Sequence, residues 1–275
     1  MSERIKNELG NLVFASGYLS EYRYYKQLIL EKEYENIQNL TTNLREEQYE
    51  SLRQMIEVEM IVNAVQYCSE LGAFAVCVKN KNIIKIQNFL ASLTETDIQF
   101  FFKNIEKCNP SLVSKYMGYH EVKIEQKDEY KYSLSCERYK NDIIRIANFY
   151  NQWYPLYLSY KHGLRIIPAI DENTHKKIII EACKDNTSTI YVLPEAWWLV
   201  TIEIITIVRE IYRKLYVPLI RKEAGEYLGI PFDSSSISTK GEDKAPPDPN
   251  RSIHRSISFT NPWWIHEHGE PNPFY

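Results

Sequence analysis

The spacing of the apolar residues switches from helical to strand-like at Gly163, and no other feature constrains the fold as much. Before it, Tyr139, Ile143, Ile146, Phe149, Tyr150, Trp153, Leu156, Tyr157 and Tyr160 recur every three or four residues, which lays them along one stripe of a long helix. Pro155 removes one hydrogen bond from that helix and is expected to kink it. Gly163 is placed to stop it in the left-handed conformation, after Lys161 and His162 in the last turn. Beyond Gly163 come three β-branched runs, 164–170, 177–183 and 187–193, separated by polar links. These runs predict a three-stranded antiparallel meander, with Pro168 confining the first strand to an edge.

The remaining segments are helical. Tyr22, Tyr25, Leu28, Ile29 and Ile37 fall at helical spacing between 20 and 40, and such a stripe is expected to face the core. A second helix is expected over about 44–78, with Gly72 as its one candidate bend. Residues 82–93 read as a short helix. Thr94 and Asp97 form a capping-box pattern before a helix over 98–105, and Asn109 with Pro110 breaks that helix. A helix opened by Pro194 and running over 197–219 is apolar on most faces, so it is expected to be the most buried of all; Pro218 bends or ends it.

Residues 231–275 change character, with a serine cluster and prolines 246, 247, 249, 262, 271 and 273. An extended tail is expected there, carrying Trp263 and Trp264 as docking side chains for its own domain or for a partner. The fold class is therefore mainly α: a multi-helix bundle over 18–230 with a β insert at about 164–193, an N-terminal arm at 1–17 and the tail.

Composition narrows the function. With 33 basic and 36 acidic residues there is no global basic footprint for nucleic acid. Nine glycines, none in a phosphate-loop pattern, leave no cofactor indicated. The five cysteines, 68, 77, 108, 136 and 183, are never spaced as C-x-x-C, and read as reduced, buried, small apolar side chains. The N-terminal residues do not resemble a signal peptide, and the apolar stretch 196–208 is too short to span a bilayer, so a cytoplasmic protein with no membrane partner is expected.

Candidate chemistry lies mainly in one place. Lys161, His162 and Arg165 make a compact basic corner beside Asn151 and Tyr160. A phosphate could be held there, and His162 could move a proton during RNA cleavage. The competing reading makes His162 and Gly163 a simple helix cap. Residues 151–165 resemble the late-helix element of HEPN-type helical proteins, found in toxin–antitoxin and phage-defence systems. That resemblance implies an RNase with His162 catalytic and Arg165 or Lys161 on the phosphate. Positions 156–158 are Leu, Tyr and Leu, so the arginine of the HEPN signature is missing.

Two other patterns are weaker. Glu46, Glu47 and Glu50 have the E-E-x-x-E form of nucleotide pyrophosphohydrolases related to MazG, but no E-x-x-D lies at a suitable distance to complete a magnesium site. A solvated acidic helix face is the plainer reading. His266, Glu267 and His268 could ligate a metal from an extended strand, but they sit in the proline-rich tail, and no metal is expected. On the apolar helix, Glu210 is expected to pair with Arg213 or Lys214.

The leading expectation is a non-catalytic protein that binds another protein or a second copy of itself, through Lys161–Arg165, Tyr160, Asn151 and the tail aromatics. The alternatives are a HEPN-like RNase, with RNA as partner, and a metal-dependent nucleotide hydrolase.

Overall fold

A computed structural model of the chain describes residues 18–40, 45–80, 92–118, 129–161, 166–171, 173–174, 176–182, 188–193 and 197–219. Among them the architecture is mainly helical with one small sheet: α1 (Tyr18–Leu40), α2 (Glu46–Lys79), α3 (Glu95–Asn104), α4 (Pro110–Tyr116), α5 (Glu129–Lys161), β1 (Ile166–Ile170), β2 (Lys177–Ala182), β3 (Ser188–Val192) and α6 (Trp197–Ile211). The expected arm, tail and most of the short helix at 82–93 lie outside the described residues. The chain falls into two compact units whose boundaries run inside helices. The first comprises Met1–Glu21, Glu70–Ala147 and Ile207–Tyr275, and the second Tyr22–Ser69 and Asn148–Thr206.

The first unit is an aromatic core. Phe74 of α2 meets Tyr212 edge-on at 5.2 Å and stacks on Tyr216 at 6.2 Å. α2 is continuous through Gly72. A Cβ there would come within 2.9 Å of Ile98 and 3.0 Å of the Phe102 ring, so glycine is what lets α3 pack this closely. α3 begins with the expected capping box, Thr94 and Asp97 each bonding the other's backbone. Asn109, expected as a breaker, instead caps α4, with Pro110 in its first turn.

After Ile211 the chain winds into a π-helical turn over Tyr212–Tyr216, just before Pro218. The Val217 amide reaches back five residues to the Tyr212 carbonyl. Pro218 has no amide to give the Lys214 carbonyl, and the wider turn accommodates its ring without ending the helix. That turn carries a buried pair of phenols: Tyr139 and Tyr216 hydroxyls lie 2.6 Å apart, and Tyr216 donates to the Tyr116 carbonyl at 3.1 Å. Tyr139 is therefore the donor to Tyr216. Tyr216→Phe breaks both of these bonds, so its measured denaturation free energy should fall by about 2 kcal/mol.

Asp142, on the half of α5 in this unit, is half-buried, and that burial raises its carboxyl to about 6 against the opposing pull of Arg145 and Arg138. A folded value above the ordinary 3.8 means the fold prefers the protonated acid. The resulting stabilisation is complete below the unfolded value and is lost as pH rises through about 6. Discounted for partial exposure, Asp142→Asn should stabilise the protein by about 1–2 kcal/mol at pH 7 in urea titrations, a difference that vanishes near pH 4.

The second unit holds the sheet, in the order β1-β2-β3, antiparallel throughout, with β1 and its Pro168 on an edge as expected. α5 runs unbroken across Pro155. Pro155 lies on the exposed side of the helix with Asn151, so the carbonyl that loses its partner faces water.

Two expectations about burial are corrected. α6 is not the most buried helix: Leu199 is 40% and Val200 46% exposed, whereas most of α2 from Val58 to Val78 is buried. α2 ranks lower by hydropathy because its small and polar residues, including Ala64, Asn63 and Glu57, are buried as well. It is long and apolar enough to cross a membrane over Gln48–Lys79, yet 72% of its apolar window is buried inside the protein. The second correction concerns α1, whose apolar stripe faces outward.

Candidate functional site

Helix α1 is inverted relative to an ordinary amphipathic helix. Tyr22 (53%), Tyr25 (53%) and Ile29 (61%) are exposed, while Gln27 and Glu31 are buried. The cause lies on α2, which offers polar partners in matching register. Arg23 donates to Gln66 at 2.7 Å, Lys26 pairs with Glu59 at 3.2 Å, Asn63 donates to the Arg23 carbonyl at 2.9 Å, and Tyr34 donates to Glu57 at 2.8 Å. Buried polar groups need partners, and most of these find one another; Gln27 Nε2 and Asn63 Oδ1 bond nothing among the described residues. Of the expected stripe, only Ile37 is fully buried.

The sheet repeats the inversion. One face carries Glu181, Ile179, Tyr191 and Lys177, and it turns toward the helices. Glu181 accepts from Ser159 and from Tyr191, Lys177 bonds Glu57 at 2.5 Å, and Tyr191 lies 6.2 Å from Trp153. Glu57 is 1% exposed, so Lys177 is the cation that makes its burial tolerable; its other oxygen has no partner among the described residues. The opposite face is apolar. Ile167, Ile180 and Ile190 pair in one row across three strands, and Ala169, Ile178 and Val192 pair in the next, where Ile178 is buried. Ile167 is 59%, Ile190 58% and Val192 51% exposed. Of thirteen large apolar side chains exposed among the described residues, eleven lie in this second unit. Scattered exposed apolar residues need no explanation, but a contiguous uncharged sheet face does.

A cleft of about 220 Å³ also opens in this unit. Met60 forms its floor, Tyr34, Tyr49 and Trp198 supply rings, and Glu31, Glu35 and Arg53 supply charge. The Arg53 guanidinium lies over the Tyr34 ring at 4.8 Å, and the Tyr34 and Trp198 rings are 6.3 Å apart. Burial, then the bond to Glu57, pushes the Tyr34 phenol up to about 12.

The residues singled out in the sequence are dispersed or lie outside the described set. His162, Arg165, Trp263 and Trp264 fall outside it. Lys161 is exposed at the end of α5. Tyr160 turns inward and donates to Glu59, which Lys26 also holds. Asn151 lies about 180° around the helix from Tyr160, so these two do not share a face. Glu46 and Glu47 side chains are not described, and among the described residues no group of three His, Cys, Asp or Glu is placed to hold a metal ion. On α6, Glu210 does pair with Lys214, at 2.5 Å, while Arg209 reaches Glu21 at 2.8 Å. Burial pushes the Cys77 thiol up to about 12 and that of Cys136 to about 11, so neither is a thiolate nucleophile near neutral pH.

No family model, curated protein or solved structure is similar to this chain. Sequence periodicity identified apolar stripes but not their direction. The polar stripe Arg23, Gln27, Glu31 and Tyr34, at intervals of four, four and three, was the signal that the inner face of α1 is polar.

Proposed function

We propose that this is a non-catalytic, cytoplasmic binding protein whose docking surface is the outer face of the sheet, and that the occupant of that face is a second copy of the same chain. The observation that carries the reading is the uncharged row Ile167, Ile180 and Ile190, two of its members more than half exposed. A face without charge offers nothing to a partner recognised by charge. An identical face, related by a two-fold axis, offers matching β-branched side chains that interdigitate at a sheet spacing of about 10 Å.

Three strands of five or six residues cover roughly 14 by 16 Å, well below the ~800 Å² per partner of a tight complex. The association is therefore weak and concentration-dependent, in the micromolar range. Light scattering across a concentration series tests it. Molar mass should climb from one chain toward two; a mass fixed at one chain throughout would contradict the reading.

A further inference from the structure

We propose that the outer edge of β3 pairs with the same edge of a second copy, joining two three-stranded sheets into one continuous sheet. The phase of the ladder decides which backbone groups that edge offers. Leu193 donates to the Lys177 carbonyl at 2.9 Å, in line with the β2–β3 register, and Asp171 donates to the Lys176 carbonyl at 3.0 Å, in line with the β1–β2 register. Backbone groups alternate in direction along a strand. Thr189 and Tyr191 therefore face β2, while Ser188, Ile190 and Val192 turn their N–H and C=O groups away from it. On β1 the outward residues are Ile166, Pro168 and Ile170.

The two edges of the sheet differ in consequence. β1 carries Pro168 at its middle outward position, with no N–H to give and a ring in a neighbour's way, which guards that edge. β3 (Ser188–Val192) has no proline and no charge, and among the described residues no strand lies beyond it. An unguarded edge of this kind is a template for another strand.

A second copy is the occupant that closes this edge by symmetry. Ile190 is central among the outward residues of β3. With a two-fold axis at Ile190, that residue pairs with Ile190 of the other copy, and Ser188 pairs with Val192, antiparallel. Every outward N–H then meets a carbonyl. The same register carries the apolar row across the seam, so that Ile167, Ile180 and Ile190 continue into their twins. No charge on either strand opposes the approach. This rests on the self-association reading above and extends it, because the joined sheet presents an outer face twice as wide. The edge axis crosses the sheet and the face axis lies parallel to it; perpendicular two-folds of this kind close an assembly at four chains.

One short strand edge buries less than the sheet face, so it engages at higher concentration. Sedimentation equilibrium of the full chain, carried from about 300 µM to about 2 mM, tests it alongside hydrogen exchange at Ile190 and Val192. Mass should pass two chains toward four. The two amides should exchange about tenfold or more slowly at the top of that range than at about 1 µM. Ser188→Pro removes an outward N–H at the first residue of the strand, where proline is tolerated, and leaves the isoleucine row intact. It should hold the mass at two chains and abolish the slowing. A wild type that stops at two chains, amides already slow at about 1 µM because another part of the same chain covers the edge, or a Ser188→Pro chain that still reaches four would overturn the proposal and leave the face contact standing. A Ser188→Pro chain that falls to one, with the wild type at two, would uphold the edge and overturn the face contact. A wild type of one chain throughout would overturn both.

Discussion

Lys177→Met should lower the stability of the protein by about 2–3 kcal/mol, one of the two largest effects expected from a single substitution here. Methionine keeps most of the stem's packing and removes only the charge. What remains is Glu57, 1% exposed, with the Tyr34 hydroxyl as its one other described partner. Breaking a buried pair leaves an uncompensated charge and costs about 3–5 kcal/mol. The Lys177 side chain is 29% exposed, and solvent screening brings the expected loss below that range. In a thermal melt that corresponds to a drop of roughly 5–10 °C. Adding Glu57→Gln to Lys177→Met removes the stranded charge and should recover at least half the loss. A double-mutant cycle with a coupling near zero would show that Lys177 and Glu57 do not stabilise each other.

This pair also explains why the second unit tolerates so much outward apolar surface. Its inner faces are fixed by polar contacts: Glu57 with Lys177 and Tyr34, Glu59 with Lys26 and Tyr160, Glu181 with Ser159 and Tyr191. Those contacts are directional, so they set the register of α1 on α2 and of the sheet on its helices. The apolar residues on the reverse sides are left for other uses.

The helices and strands were legible in the sequence because each rests on a short-range rule. Thr94 and Asp97 marked a helix start, the β-branched runs between 164 and 193 marked three strands, and Glu210 with Lys214 sat at pairing distance on one helix. Orientation was not legible. Period identifies the apolar face of α1 but says nothing of which way it turns, and the partners that turn it, Glu59, Asn63 and Gln66, lie 33 to 43 residues away. Strand alternation was equally silent, because isoleucine occupies both faces: Ile179 points in, and Ile167, Ile180 and Ile190 point out. The candidate cleft depends on the same long-range placement, drawing Glu31, Arg53 and Trp198 from three helices.

The second large effect is on assembly. Ile190→Asp places a carboxylate on the β3 side of the proposed self-contact, where pairing would bury it and its twin on the other copy. Desolvating unpaired like charges costs several kcal/mol, so the dissociation constant should rise by at least about 100-fold. The side chain is 58% exposed in the single chain, so the folded monomer should lose less than about 1 kcal/mol. Sedimentation equilibrium of wild type and Ile190→Asp, from about 1 to 300 µM to bracket the micromolar range, with melts of both, is the most direct measurement. The expected result is a wild type that passes from one chain to two across this range, and a variant that stays at one chain with a nearly unchanged melting temperature. A wild type monomeric at every concentration, or a variant that associates as strongly as the wild type, would contradict the assignment of the sheet face as the docking surface.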